Sequence, residues 1–213
     1  MKKFIVLDTE TTNSLDDPLC YDIGFAVVNR KGFVLETHSY VVAEIFLNKE
    51  LMSSAFFIDK VPQYWEEIKQ DSRQLKRLNT IRKILKATME KYNTNIVVAH
   101  NARFDYKSLN KTQRFLTSSK YRYFLPYGTE IWDTLKMSRQ ALKENTQYDN
   151  FCYENNYLTK RGCKKYTAEI LYRFLTNNND FIEEHTGLED VLIEKEILAF
   201  CLANGIEDGR LWE

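Results

Sequence analysis

The stretch Lys3-Phe4-Ile5-Val6-Leu7-Asp8-Thr9-Glu10-Thr11-Thr12 constrains this chain more than any other. Its apolar half, β-branched at Ile5 and Val6, has the composition of a buried strand. The run ends in two carboxylates one residue apart, and the two-residue period of a strand puts Asp8 and Glu10 on the same face. Carboxylates side by side at the end of a core strand repel each other unless protons or cations relieve them. The plainer alternative is a strand that exits into a polar turn. The weight of the pair therefore depends on whether other segments supply further ligands.

A length of 213 residues suits one domain with a full core and is short for two, so 1–213 is read as a single domain. Basic and acidic residues balance at 30 each, so the whole-molecule field does not itself attract a polyanion. A neutral protein can still carry an acidic centre and a basic surface. The cysteines Cys20, Cys152, Cys163 and Cys201 form no Cys-x-x-Cys pair, which fits thiols in a reducing compartment. Asp8 interrupts the N-terminus before a signal-length apolar segment is complete, and no run is long enough to span a bilayer. A cytoplasmic location with no membrane partner is the expectation.

A turn-rich loop at 13–18 leads to a second strand over 21–28 and, past a turn at Asn29-Arg30-Lys31-Gly32, a third over 33–42. The aromatic-rich segment 43–70 reads either as short helices covering one edge of the core or as a platform for bases. From 71 to 92 the spacing of Leu75, Leu78, Ile81, Leu85 and Met89 predicts a helix, whose other face is basic from Arg73 to Lys86. Such a face is either solvated or in contact with phosphates. Ile96–Ala99 is a short buried strand; Asn101 is a good cap for the helix after it, and Phe104, Leu109 and Phe115 give that helix an apolar face. An edge strand is expected over 121–127, a core strand over 129–131, and helices over 132–142, 148–155 and 167–175. Thr186 with Glu189 is a capping box, so a last helix runs to about Ala203 with His185 just outside it and Asp190 in its first turn. This order of elements is that of an α/β or α+β layered domain with a mixed sheet.

Asp8 and Glu10 end one strand, Asp105 follows another, and Asp190 and His185 sit at the start of a late helix. Four carboxylates and a histidine are the parts needed for two-metal phosphodiester hydrolysis. Hard oxygen ligands favour Mg²⁺ or Mn²⁺, and His185 has the near-neutral pKa of a general base. Asp133 is read as a helix cap, and His38 and His100 as structural or surface residues.

The motifs Asp8-Thr9-Glu10 with Thr11 and Thr12, Asn101 to Phe104-Asp105, and His185 followed five positions later by Asp190 arrive in an order that resembles a known family. The chain is similar to the histidine-using DEDD 3′-to-5′ exonucleases, which include proofreading subunits, ribonuclease T and oligoribonuclease. Asn13 stands where the family commonly has glycine. The resemblance implies an α/β, ribonuclease H-like three-layer domain with a five-stranded mixed central sheet flanked by helices, and two divalent cations. It implies that Asp8 bridges the ions, that Glu10 and Asp190 hold the nucleophile side, that Asp105 serves the second ion, and that His185 takes the proton. It places Thr9, Thr11, Asn101 and Phe104 around the substrate, Phe104 supporting Asp105 from the core, with Leu15 and Phe56 or Phe57 as weaker contacts to terminal bases. The implied substrate is a single-stranded or frayed 3′ end of DNA or RNA, degraded to 5′-mononucleotides in replication or repair. A homodimer or a replication-complex partner is in keeping with such enzymes. The Tyr-, Asn- and Lys-bearing composition fits a low-GC bacterium or its phage. Two rival readings are a ribonuclease H-like endonuclease and a nucleic-acid-binding subunit without catalysis.

Overall fold

The computed structural model describes residues 2–13, 15–118 and 122–212. Its core is a mixed sheet in which β1 (Lys3–Thr12) lies between β2 (Leu19–Asn29) and β5 (Ile96–Ala99). β1 pairs antiparallel with β2 and parallel with β5, so the sheet is mixed about its central strand. β3 (Val34–Val42) continues it beyond β2, and β4 (Gln74–Lys76) and β6 (Glu130–Asp133) form its two edges, giving the order β4-β3-β2-β1-β5-β6.

The sheet therefore has six strands rather than five. The added strand comes from the segment expected to be helix. Leu75 and Leu78 match a helical interval, but Gln74–Lys76 pairs with Tyr40–Val42 and the helix, α4 (Leu78–Tyr92), begins only afterwards. Arg73 explains the switch: rather than lying on a solvated basic face, it is buried and ion-paired, which draws the chain against the sheet. Asp71, at a left-handed φ of 56°, turns the chain out of the preceding helix.

Segment 43–70 forms two single-turn helices, α1 (Ala43–Phe46) and α2 (Lys49–Met52), a 3-10 turn at Ile58–Lys60, and α3 (Val61–Lys69). Pro62 lies in the first turn of α3, where its missing N–H costs nothing. Ile45, Phe46, Met52 and Tyr64 from this segment are buried in the core, as the edge-covering reading expects. The expected edge strand over 121–127 is irregular across 122–127, and residue 121 lies outside the described residues. The remaining helices are α5 (Arg103–Leu116), α6 (Thr134–Ala141), α7 (Thr146–Glu154), α8 (Ala168–Thr176) and α9 (Gly187–Ala203).

The strands sort their side chains by parity into two cores. Ile5 and Leu7 of β1 join Leu78, Ile81, Leu85 and Leu109 on the α4 and α5 side. Phe4 and Val6 join Met137, Leu171, Val191 and Ile197 on the side of α6, α8 and α9. Helices on both faces of the sheet make a three-layer α/β domain. Among the described residues, no helix is long and apolar enough to cross a membrane.

Candidate active site

Strand parity extends into the polar end of β1 and separates its roles. Asp8 and Glu10 share the parity of Phe4 and Val6, which places them towards α9; Thr9 shares that of Leu7 and turns towards α5. Thr9 Oγ1 donates to Asp105 Oδ1 at 2.9 Å and lies 3.1 Å from Ser108 Oγ. Thr9 therefore orients a carboxylate. The register shift between Glu10 and Thr11 makes this a strand with an irregularity and not a turn, and the Thr11 carbonyl accepts the Phe56 N–H at 3.2 Å.

Asp105 arrives through the sharp connection from β5 into α5. Asn101 takes a left-handed φ of 63°, Ala102 occupies the cap position of α5, and the Asn101 side chain is not the cap. Asp133 Oδ1 instead accepts the Asn101 N–H at 3.0 Å and caps α6 through the Leu135 N–H at 2.9 Å, as the helix-cap reading expects. Phe104 is half-buried and outside both cores, and Phe115 is exposed, so Asp105 is held by Thr9 and not by an aromatic support. His100 bonds Thr134 Oγ1 and the Tyr166 carbonyl, and His38 bonds Tyr40 and Glu36; both serve the fold.

The third part of the site depends on how closely α9 meets β2. A Cβ on Gly24 would stand 2.1 Å from the Gly187 carbonyl carbon, so the helix start can reach the sheet only across two glycines. Asp22 fixes this approach: its Oδ2 accepts the Gly187 N–H at 2.8 Å and the Tyr64 hydroxyl at 2.7 Å, and its Oδ1 meets Arg73 Nη1 at 2.6 Å. Arg73 also binds Glu67 at 2.6 Å and Glu189 at 3.1 Å. The expected capping box takes a different form, in which the Thr186 hydroxyl donates to the Glu189 carboxylate and makes no bond to the helix backbone.

His185 precedes this helix at a left-handed φ of 54°, and its ring stacks on Phe57 with centroids 4.3 Å apart and planes 7° off parallel. Among the described residues, Glu10, His185 and Asp190 form one group whose ligand atoms all lie within 4.8 Å of one another. Asp8 and Asp105 lie outside that tight group, but Asp105 is the strongest of the charges acting on Asp8, ahead of Glu194, Glu10 and Asp190. Burial, reinforced by neighbouring acids, pushes Asp8 well up, Glu10 to about 10 with Asp190 the strongest of the charges on it, and Asp190 to about 8 with Glu183 the strongest; burial also takes Asp105 to about 7, against the pull of the Thr9 bond. Burial lowers the His185 pKa, which keeps the imidazole neutral and able to accept a proton near pH 7.

Three carboxylate oxygens, Asp8 Oδ2, Asp190 Oδ1 and Glu194 Oε2, are sealed from solvent without a hydrogen-bond partner among the described residues. Orphaned buried acceptors carry a desolvation cost that a cation would offset. The donor set is hard oxygen with one imidazole, which fits divalent cations such as Mg²⁺ or Mn²⁺. Glu194 was not among the expected residues. It lies four residues after Asp190 and so on the same face of α9, and its other oxygen accepts the His100 N–H at 3.2 Å. That spacing was present in the sequence, but a glutamate inside a helical run reads as solvated. Phe57, a weaker expectation, lies at the site through its stack on His185, and exposed Phe56 packs edge-on against it.

No family model matches the chain, and no curated protein matches it in sequence. Solved structures do resemble it. An apo exonuclease I superposes with a TM-score of 0.59 at 14% identity, over 94% of this chain and 42% of that one. Exonuclease I from Methylocaldum szegediense gives 0.58 at 14%, over 94% and 40%. The zinc-bound complex of Escherichia coli exonuclease I with single-stranded DNA gives 0.56 at 14%, over 96% and 40%. The chain thus spans about two fifths of the length of these structures. At this identity the likeness concerns architecture: the chain has the α/β fold, a mixed six-stranded sheet between helical layers, that is found in exonuclease I and other ribonuclease H-like proteins.

Proposed function

We propose that this chain is a divalent-cation-dependent 3′-to-5′ exonuclease that releases 5′-mononucleotides from a nucleic-acid strand. The observation that carries the reading is the convergence of Glu10, His185 and Asp190 within 4.8 Å, from elements at opposite ends of the chain. The fold shared with exonuclease I supports it, and the single-stranded DNA in complexes of that enzyme makes single-stranded DNA the first substrate to test.

In this reading Asp8, Glu10, Asp105 and Asp190 hold two cations, Mg²⁺ or Mn²⁺, with Asp8 central because it feels all the other carboxylates. When bound, these ions polarise the phosphodiester and offset negative charge in the transition state. Thr9 keeps Asp105 in one rotamer through its hydroxyl. His185 accepts a proton from the attacking water, and its stack on Phe57 limits the ring to positions beside Glu10 and Asp190. Phe56, 70% exposed next to Phe57, is placed to stack on a terminal base.

The test is digestion of 5′-labelled single-stranded DNA and RNA of one sequence with Mn²⁺, resolved to single nucleotides. The expected result is a ladder shortened from the 3′ end, abolished in Asp105→Asn, with a circular strand left intact. Cleavage of the circle would favour the endonuclease, and absence of any release from either substrate would favour the binding subunit.

A further inference from the structure

A cavity of about 1390 Å³ is not lined by the site carboxylates. It is an open groove between α4, α5 and the segment 122–129, and it reaches Tyr106, the residue after Asp105. A small-molecule pocket occupies roughly 300–1,000 Å³, so this groove has the size and the open side suited to a polymer.

Its walls are chemically one-sided. Arg77, Lys83, Lys86 and Arg122 line it and are exposed. Glu44 is the acid among the lining residues, and its carboxylate already accepts the Leu78 N–H at 3.1 Å. Lys86 has a 3.6 Å pair with Glu90, but both side chains are well exposed, so water and salt screen it. Of the four aromatic residues that line it, Tyr106, Tyr123, Tyr127 and Trp212, two stand furthest into solvent: Tyr123 is 57% exposed and Tyr127 fully so. Both rings stand largely in solvent, Tyr123 with the Arg114 guanidinium 5.9 Å from its ring centre. Cations along a groove with exposed aromatic faces are the pairing that holds single strands, phosphates on the charges and bases on the rings. In a chain of zero net charge this is a separation of sign, a basic groove apart from the acidic centre.

We infer that this groove binds single-stranded nucleic acid, holding the nucleotides upstream of the 3′ end that the carboxylate centre engages. The direction of the strand rests on the exonuclease reading; binding in the groove does not. Phosphates lie on Arg77, Lys83, Lys86 and Arg122, and bases stack on Tyr123 and Tyr127.

The experiment is fluorescence anisotropy of a labelled 20-nucleotide single strand in EDTA, which prevents its hydrolysis, with the full chain and two double variants. Lys83→Gln with Lys86→Gln is expected to reduce the slope of log affinity against log salt by about 1.4, from about 0.7 per single-strand phosphate contact. Tyr123→Ala with Tyr127→Ala is expected to weaken binding roughly thirtyfold or more, from two lost stacks. All four side chains are exposed, so the melting temperature and the rate on a trinucleotide in Mn²⁺ should match the parent. Equal binding of the 20-mer by parent and variants would overturn the inference. So would a polyglutamate peptide of equal length that binds more tightly than the strand, which would make the groove a site for acidic protein segments. Groove-dependent binding without nucleotide release would leave the groove standing and remove the exonuclease reading instead.

Discussion

Two regions of this molecule bury carboxylates within a few residues of each other, and they treat them in opposite ways. Asp22, fully buried on β2, has its charge met by Arg73, the Tyr64 hydroxyl and the Gly187 N–H. Among the described residues Glu10, its register partner on β1, has no such company, and neither do the sealed oxygens of Asp8, Asp190 and Glu194. Burial pushes the carboxyls up in both places, but at Asp22 the guanidinium and the hydrogen bonds pull back. At Glu10 the neighbouring acids push further in the same direction. A buried charge satisfied by the chain is a structural element, whereas a group of buried charges left unsatisfied is a place prepared for something from outside.

Removing one partner at the satisfied site should have the largest effect. Arg73→Met leaves Asp22 buried without its counter-charge and is expected to cost about 3–5 kcal/mol of stability in urea denaturation. A loss below about 1 kcal/mol would show that Asp22 is not held as an ion. Asp8→Asn at the unsatisfied site should do the reverse. Outer-shell changes at metal sites cost about 10–100-fold, so on the proposed function loss of this carboxylate should lower nucleotide release more than 100-fold while the cation-free protein melts no lower than the parent. A Tm that falls as far as that of Arg73→Met would erase the distinction between the two regions.

Acid dependence separates the regions next. In the fold Asp105 and Asp190 keep their protons to about 7 and about 8, whereas the unfolded chain releases them near the ordinary carboxylate value of about 4. The folded state binds more protons across that interval, so this contribution to stability is present below about pH 4 and is lost as pH rises towards 8. In EDTA the Tm should fall between pH 5 and pH 8, and saturating Mg²⁺ or Mn²⁺ should remove that fall. A profile in EDTA that matches the profile with cation would contradict the reading of the orphaned carboxylates. The smallest effect is expected at Glu194. Glu194→Gln should raise the Tm without cation and weaken Mn²⁺ about tenfold in calorimetric titration; unchanged affinity would assign Glu194 to the fold alone, through its bond to the His100 N–H.

Much of this was legible from local pattern. Strand period two placed Asp8 and Glu10 on one face, and the end of the last helix at Ala203 and the start of α9 after His185 followed from spacing and turn chemistry. The departures have a common physical origin. The interval between Leu75 and Leu78 predicts helix through Arg73 and Gln74–Lys76, and only pairing with Tyr40–Val42 and the ion pairs to Asp22 and Glu67 decide otherwise. The Thr9 bond holds Asp105 in place of Phe104, and α5 starts after Ala102 with no side-chain cap, the Asn101 N–H going instead to Asp133. Glu194 stands four residues after Asp190, but its burial has no local mark, because burial of a helical glutamate depends on what packs against it.

The sequence by itself determined the central strand, the two carboxylates at its end, and the order in which Asp105, His185 and Asp190 follow, since each depends on neighbours along the chain. Tertiary structure alone decided that Gly24 and Gly187 let α9 meet β2, that Arg73 goes inside, and that Glu194 joins the acidic centre. These are matters of which distant surfaces touch, and burial sets the cost of every charge they enclose.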